Sequence, residues 1–289
     1  MRYCDLWRRH ANRLHDPQRQ TDVRLLIQKA FVLSQEEFWL RQGEEAGDRA
    51  AYRRFHNDYR RLLKDEPLAY IMGEKEFFGE SFLVDRRVLI PRPATEILVE
   101  TAVRRLAETL PPAKEPHVLD IGAGCGAVAI MVAIRSNARV TALERERGAL
   151  AVLKKNIARH GLQDRVLPRA GDLFPRRREV FDLIVSNPPY LSRLDWEGLP
   201  VHIKKHEPQP ALLAGKTGLE VIARIVERAP GYLRPGGSLL LEIGAGQKRA
   251  IAGLLKRARF VDIAFLPDLA GIPRVAAGRR FPLGGHNGQ

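Results

Sequence analysis

Cysteine is scarce: Cys4 and Cys125 are the only two in 289 residues. They share no repeated spacing, which excludes a disulfide framework and a zinc-ligand pattern and favours a reducing cytoplasm. Long apolar runs are also missing. The longest, Ala127 to Ile134, falls well short of the roughly 20 residues that span a bilayer. The N-terminus, Met1-Arg2-Tyr3-Cys4-Asp5-Leu6-Trp7, has no secretory apolar core. Asp5 and Asp16 weigh against an organellar presequence, so an amphipathic first helix is expected there. No Ser–His or Cys–His arrangement suggests a nucleophile with its base, and no residue cluster suggests a metal. Acid is the minority sign, with 34 Asp and Glu against 48 Lys and Arg and a net charge of +14. That surplus favours encounter with acidic partners. The arginines are nevertheless scattered. Arg176-Arg177-Arg178, and Arg53-Arg54 with Arg60-Arg61, read as solvated faces, and direct nucleic-acid binding is not expected.

What is present is two kinds of periodicity. From Asp22 to about Lys64 the apolar residues recur at helical spacing: Val23, Leu26, Ile27, Ala30 and Phe31, then Tyr52, Phe55, Tyr59, Leu62 and Leu63. Three or four short helices form a small N-terminal module, residues 1–72. Glu66-Pro67 ends that pattern, and Gly73 and Gly79 punctuate the next stretch of chain. Residues 73–92 read as a β-hairpin linker, with arms at 76–82 and 83–90. Pro91-Arg92-Pro93 closes it, and Thr95 is expected to cap the next helix. The third segment, 93–289, alternates strand and helix patterns, with strands near 117–121, 140–143, 165–167, 181–185, 237–243, 261–265 and 275–278. Such alternation predicts an α/β fold with a largely parallel sheet covered by helices on both faces. The tail from Gly284 to Gln289 reads as disordered.

Gly122-Ala123-Gly124-Cys125-Gly126 directly follows the first strand of the large domain. Glycines there let the backbone turn sharply and approach a ligand. Taken alone, the loop also fits a dinucleotide fingerprint. Glu144, at the end of the second strand, can accept both ribose hydroxyls, although an ordinary surface carboxylate is the alternative. Asp172 after the third strand can accept an adenine amino hydrogen, with Leu173 packed on the ring; a turn cap is the alternative. Cys125 is most simply a small loop side chain. Loop and acids fall in order at successive strand ends, where ligands of open α/β sheets collect. With the tetrapeptide after the fourth strand, they favour S-adenosylmethionine over NAD.

That tetrapeptide is Asn187-Pro188-Pro189-Tyr190. Methylating a planar nitrogen is difficult because its lone pair is delocalised. Two acceptors in one plane must hold both N–H hydrogens so that the nitrogen faces the methyl donor. The Asn187 side-chain oxygen and the Pro188 carbonyl can supply them. The prolines restrict the backbone, and Tyr190 offers a ring for a flat group. An isolated Pro-rich turn after a strand is the plainer alternative.

The chain resembles the HemK/PrmC family, class I methyltransferases that modify the glutamine of the GGQ motif in peptide-chain release factors. The resemblance runs through Glu66-Pro67-Leu68-Ala69-Tyr70-Ile71-Met72-Gly73, Glu76-Phe77-Phe78-Gly79 and Leu89-Ile90-Pro91-Arg92-Pro93-Ala94-Thr95-Glu96. It continues in the glycine-rich loop, Ile184 to Tyr190, Glu207-Pro208 and Leu240-Leu241-Glu242-Ile243-Gly244. It implies a Rossmann-like, largely parallel seven-stranded sheet with a small N-terminal helical domain and a hairpin linker. It further implies that Gly122 to Gly126, Glu144, Asp172, Leu173 and Asn187 hold S-adenosylmethionine. Asn187, Pro188, Pro189 and Tyr190 would receive the glutamine, Arg92 and Glu96 would brace that pocket, and the helical domain would engage the release factor. No metal and no membrane are implied, and the setting would be the bacterial cytoplasm. Ala123 and Cys125 depart from the usual threonine or serine, and Glu144 stands where aspartate is frequent. His206 also departs from the family context and reads as a surface histidine. The competing readings are a glutamine methyltransferase of a ribosomal protein, an adenine-specific DNA methyltransferase, which would need base flipping, a non-enzymatic binding protein that retains the donor pocket as scaffold, and an NAD oxidoreductase.

Overall fold

Strands buried on both faces read as unbroken apolar runs, and two such runs lie side by side at the centre of this chain. The computed structural model describes residues 1–14, 16–109, 111 and 114–281. The expected tail and part of the proline linker lie outside the described residues. The chain divides into two compact units, Met1–Gly73 and Glu74–Gln289.

Among its described residues the first unit contains five helices: α1 (Tyr3–Ala11), α2 (Pro17–Phe31), α3 (Gln35–Leu40), α4 (Arg49–Leu63) and α5 (Leu68–Met72). Helix α2 starts ahead of its apolar stripe, because Asp16 caps it by accepting the Gln18 N–H and Pro17 occupies its first turn. Ser34 and Glu37 close a capping box on α3, and the Asp48 carboxylate caps α4. The stripes meet in a core of Leu26, Ile27, Phe38, Phe55 and Leu62. His10 is buried there with its Nδ1–H donated to the Leu6 carbonyl and its ring edge-on to Phe55 and Tyr59.

The second unit opens with a hairpin of β1 (Glu74–Phe77) and β2 (Glu80–Leu83). This is shorter and earlier than the pattern suggested. Phe78 and Gly79 both take positive φ, 57° and 81°, and so make the reversal themselves. Residues 84–92 form no strand: Val84, Val88 and Ile90 are buried by packing rather than by a ladder. After a 3-10 turn at Pro93–Thr95, the chain alternates through α6 (Glu96–Thr109), β3 (His117–Ile121), α7 (Ala127–Arg135) and β4 (Arg139–Glu144). It continues through α8 (Arg147–Arg159), β5 (Val166–Ala170) and β6 (Phe181–Ser186). An excursion of β7 (Leu191–Ser192), α9 (Arg193–Gly198), α10 (Val201–His206) and β8 (Leu213–Gly215) comes next. Then come α11 (Glu220–Arg228), β9 (Leu233–Glu242), α12 (Lys248–Arg257), β10 (Phe260–Pro267) and β11 (Pro273–Arg280). No helix among the described residues is long and apolar enough to cross a membrane.

The sheet has seven strands in the order β10-β11-β9-β6-β3-β4-β5. Five are parallel, and β11 runs antiparallel between β9 and β10. Leu119 and Ile121 of β3 join a core with Ile222 and Ile225 of α11 and Ile251 and Leu255 of α12. Helices α6 and α7 pack on one another, and on β6, β9 and β4. The chain steps outward from β3 to β4 and β5, then returns to place β6 on the other side of β3. The strand order therefore reverses at the β3–β6 seam, and the crevice above such a reversal is where this architecture binds ligands.

The seam is pinned at both ends. At the bottom, the Asp182 carboxylate accepts the His117 N–H at 2.9 Å, Lys114 Nζ at 2.6 Å and Arg234 Nη1 at 2.8 Å. At the top, Ser186 Oγ donates to the Ile121 carbonyl at 2.7 Å. Burial pushes the Asp182 carboxyl up, but the His117 N–H, Lys114 and Arg234 outweigh it and hold the group below its ordinary 3.8. A depressed folded value means stabilisation that is present above the ordinary value and is lost as pH falls through the folded one. Lys114 and Arg234 are 39% and 34% exposed, which discounts the pairing. Asp182→Asn is expected to cost about 2 kcal/mol at neutral pH. In urea titrations its gap from wild type should close below about pH 4, the ordinary carboxylate range.

Candidate functional site

Above the seam, a cleft of about 450 Å³ is lined by Gly122, Gly124, Glu144, Leu173, Asn187 and Ile225 among others. Gly122, Gly124, Glu144, Asp172, Leu173, Asn187, Pro188 and Pro189, expected from sequence at four different strand ends, line this one cavity, whereas Gly126 and Tyr190 do not. The glycine loop leaves β3 with positive φ at Gly122, Gly124 and Gly126. At Gly126 the constraint is twofold, since φ is +93° and an added Cβ would lie 2.5 Å from Leu153 Cδ1. That close approach packs the first turn of α7 against α8.

Glu144 is buried at the last position of β4. Its Oε2 accepts the Gly124 N–H at 2.8 Å and its Oε1 accepts the Glu146 N–H at 2.8 Å. The carboxylate is therefore aimed by backbone on both sides and retains lone pairs for a diol. Gly171, Asp172 and Leu173 also line the cleft. Leu173 is buried with φ at +62°. Asp172 is exposed and pairs through Oδ2 with Arg224 Nη2 at 2.9 Å, leaving Oδ1 for another donor. Cys125 is buried, and its thiol is pushed up to about 12 by burial, so it remains neutral.

A smaller cavity of about 60 Å³ connects the glycine loop with the tetrapeptide and is lined by Thr95, Asp120, Cys125 and Asn187 among others. Asp120 is buried and its Oδ2 has no hydrogen-bond partner. Burial raises its carboxyl to about 7 against the Ala129 N–H, with Glu144 adding to the rise. Asn187 is half-buried, and its Nδ2 donates to Thr95 Oγ1 at 3.1 Å. Pro188 is buried and Pro189 half-buried. Tyr190 packs against the core beneath α11 and α12. Burial, with Glu242 nearby, raises its phenol, so the ring stays uncharged. Gln247 clamps this stretch by donating from Nε2 to the carbonyls of Tyr190 and Gly218, at 2.9 and 3.2 Å. At Gly218, φ is +83° and an added Cβ would lie 2.5 Å from the Tyr190 oxygen.

Other placements differ from expectation. Thr95 does not cap a helix. It closes the 3-10 turn before α6, and its hydroxyl bonds inward to Asn187 and Glu242. His206, read as a surface residue, is buried at the end of α10, where the chain turns inward to bury Glu207 beside it. Arg92 pairs with Glu207 at 2.5 Å, and Glu96 accepts the Phe78 N–H at 3.0 Å. Neither bonds to Asn187, whose side chain is held by Thr95. Sequence reasoning also passed over Asn156, a fully buried amide on the apolar face of α8. Its Oδ1 accepts the Leu83 N–H at 2.8 Å, while Nδ2 donates to the carbonyls of Leu83 and Cys125 at 3.0 and 2.8 Å. The signal was an amide among Val152, Leu153 and Ile157. A buried polar side chain must find partners.

Two family descriptions match the chain: "PrmC N-terminal domain" over residues 5–73 and "Methyltransferase small domain" over residues 96–199. The release factor glutamine methyltransferase of Geobacter sulfurreducens is 43% identical over 224 residues, 76% of this chain and 75% of that one. The enzyme of that name from Neisseria gonorrhoeae is 40% identical over 263 residues, 89% of this chain and 92% of that one. Among solved structures, a methyltransferase from Pyrococcus furiosus superimposes with a TM-score of 0.52 at 20% identity, covering 78% of this chain and 98% of its own. That likeness concerns the fold. Sequence relatives spanning most of both chains identify the lineage: the chain belongs to the release factor glutamine methyltransferase family.

Proposed function

We propose that the chain transfers a methyl group from S-adenosylmethionine to the side-chain amide nitrogen of the glutamine in the GGQ motif of peptide-chain release factors. The products are N5-methylglutamine and S-adenosylhomocysteine. The observation that carries this reading is the Asn187 amide. Its N–H is committed to Thr95, so its oxygen remains for a substrate hydrogen beside the cavity that it shares with the glycine loop.

The cleft suits a nucleoside. A buried carboxylate at Glu144 is aimed for a ribose diol, Leu173 and Ile225 give apolar surface for a flat ring, and Asp172 keeps one free oxygen for an amino group. S-adenosylmethionine, when bound, supplies a methyl carbon activated by positively charged sulfur. The protein's contribution is placement. Asn187 Oδ1 and the Pro188 carbonyl accept the two amide hydrogens and hold the substrate nitrogen in one orientation. Tyr190, uncharged and packed on the core, holds the end of the tetrapeptide in place. Fixed dipoles replace water around the reacting nitrogen. No side chain has to remove a proton beforehand, because the nitrogen becomes acidic as it gains positive charge, and the proton then leaves to solvent.

The GGQ glycines allow close entry of the slim glutamine side chain. The helical unit supplies a second contact to the release factor body, a role supported by the family match over residues 5–73. Bacterial relatives support a bacterial cytoplasmic setting.

Two measurements test the reading. Labelled S-adenosylmethionine is offered with release factor, ribosomal protein and adenine-containing DNA in separate reactions, and the modified atom is mapped by mass spectrometry. Label on the GGQ glutamine amide is expected; label on DNA or ribosomal protein, with none on active release factor, would overturn the substrate. In the second, Asn187→Ala is expected to lower kcat by about 100-fold while changing donor affinity by less than about twofold. Glu144→Gln should instead weaken donor binding in calorimetry by about tenfold. Equal loss of turnover and donor binding in Asn187→Ala would remove Asn187 from its assigned role.

A further inference from the structure

Glu242 is the last residue of β9 and 2% exposed, a carboxylate at the end of Leu239-Leu240-Leu241. Its only hydrogen bond among the described residues is with the Thr95 side chain, and its Oε2 has no partner. Thr95 is itself buried, and its Oγ1 lies 3.1 Å from Asn187 Nδ2. The hydroxyl has one hydrogen and two lone pairs. The charged form of Glu242 can only accept, and in that form it takes the Thr95 hydrogen. The Thr95 oxygen is then left to accept, and Asn187 must present its NH₂ there. Turning the Asn187 amide over would set its oxygen against the Thr95 oxygen with no hydrogen between them.

We propose that Thr95, held by Glu242, is a positioning residue that fixes the polarity of the Asn187 amide and thereby makes the site select a carboxamide over a carboxylate. The inference rests on the proposed role of Asn187 in the methyl transfer and deepens it. With Oδ1 facing the substrate, Asn187 pairs with an amide hydrogen. A glutamate carboxylate would meet an acceptor at Oδ1 and another at the Pro188 carbonyl, and the glutamine is discriminated by that repulsion as well as by attraction. The choice of substrate group is thus set from inside the sheet, by a carboxylate that the substrate never touches. Arg92 and Arg274 lie near enough to favour the charged form of Glu242, although burial still raises the carboxyl to about 7.

The test is a set of variants assayed with release factor for kcat and KM, and with S-adenosylmethionine alone for affinity. Thr95→Val keeps the volume and removes the hydroxyl. It is expected to lower kcat by about tenfold to 100-fold, with donor affinity held within about twofold. Thr95→Ser, which keeps the hydroxyl, should restore most of that loss. Combining Thr95→Val with Asn187→Ala should be no slower than Asn187→Ala alone, because Thr95 acts through that side chain. Glu242→Leu replaces a buried carboxyl by an apolar group of similar size and frees the Thr95 hydrogen to turn toward Asn187. It should lower kcat while the melting temperature holds or rises, a separation that a merely structural role would not produce. Wild-type kcat in Thr95→Val, with Asn187→Ala impaired, would overturn the inference and leave the Asn187 reading standing. Parallel loss of donor affinity, or no rescue by serine, would also overturn it. An unimpaired Asn187→Ala would overturn the Asn187 reading and the inference together.

Discussion

The pairing of β6 with β3 is the contact on which the site depends. These strands meet where the sheet reverses its order, and each ends in a segment of the crevice: the glycine loop after Ile121 and the tetrapeptide after Ser186. Parallel strands bond through slanted ladders that are slightly weaker per residue than antiparallel ones, so side-chain pins at both ends matter. Asp182 locks the lower end to the start of β3 and to Arg234, while Ser186 ties the upper end to the Ile121 carbonyl. A register slip would separate Asn187 from Gly122 and would exchange the side chains packed on the two covered faces. The geometry of the crevice is therefore decided by bonds that make no contact with any ligand.

Around that seam, polar groups are arranged in two layers. The inner layer is nearly inert: Gln247 clamps the Tyr190 carbonyl, and Asn156 holds both β2 and the glycine loop. The outer layer, Glu144, Asn187 and one oxygen of Asp172, keeps acceptor capacity at the cleft. Acceptors predominate where donors are expected to enter, which suits a ribose diol, an adenine amino group and a carboxamide. Preorganisation of this kind lowers the cost of ordering at the moment of binding.

Much of this architecture is legible in the sequence. Runs such as Val118-Leu119-Asp120-Ile121 and Phe181 to Ser186 are buried throughout, so their apolar continuity marks central parallel strands. The order of loop, acids and tetrapeptide at strand ends translates directly into one cleft. Misreadings arise where long-range packing displaces a local rule. Val84, Val88 and Ile90 look like a strand arm because they are apolar, but they pack without pairing. The last strand of the parallel set begins at Leu233, ahead of Gly236 and Gly237, because a register shift against β6 absorbs those residues. Thr95 satisfies the helix-cap pattern locally, yet its hydroxyl is drawn to Glu242, a partner far away in sequence. Likewise, the apolar neighbours of Asn156 in α8 mark it as buried, but not which three backbone groups it reaches.

Cys125 shows a different kind of constraint. A sulfur atom in the donor loop is a potential competitor for an electrophilic methyl carbon, because thiolates are far better nucleophiles than carboxamides. Burial removes the competition by keeping the thiol protonated far above neutral pH. Under the proposed chemistry the loop is protected from alkylating itself, and the enzyme can dwell with its donor bound while it waits for a partner. The same burial makes the sulfur a poor target for peroxide. A residue that looks hazardous beside a methylating agent is thus rendered chemically silent by its surroundings.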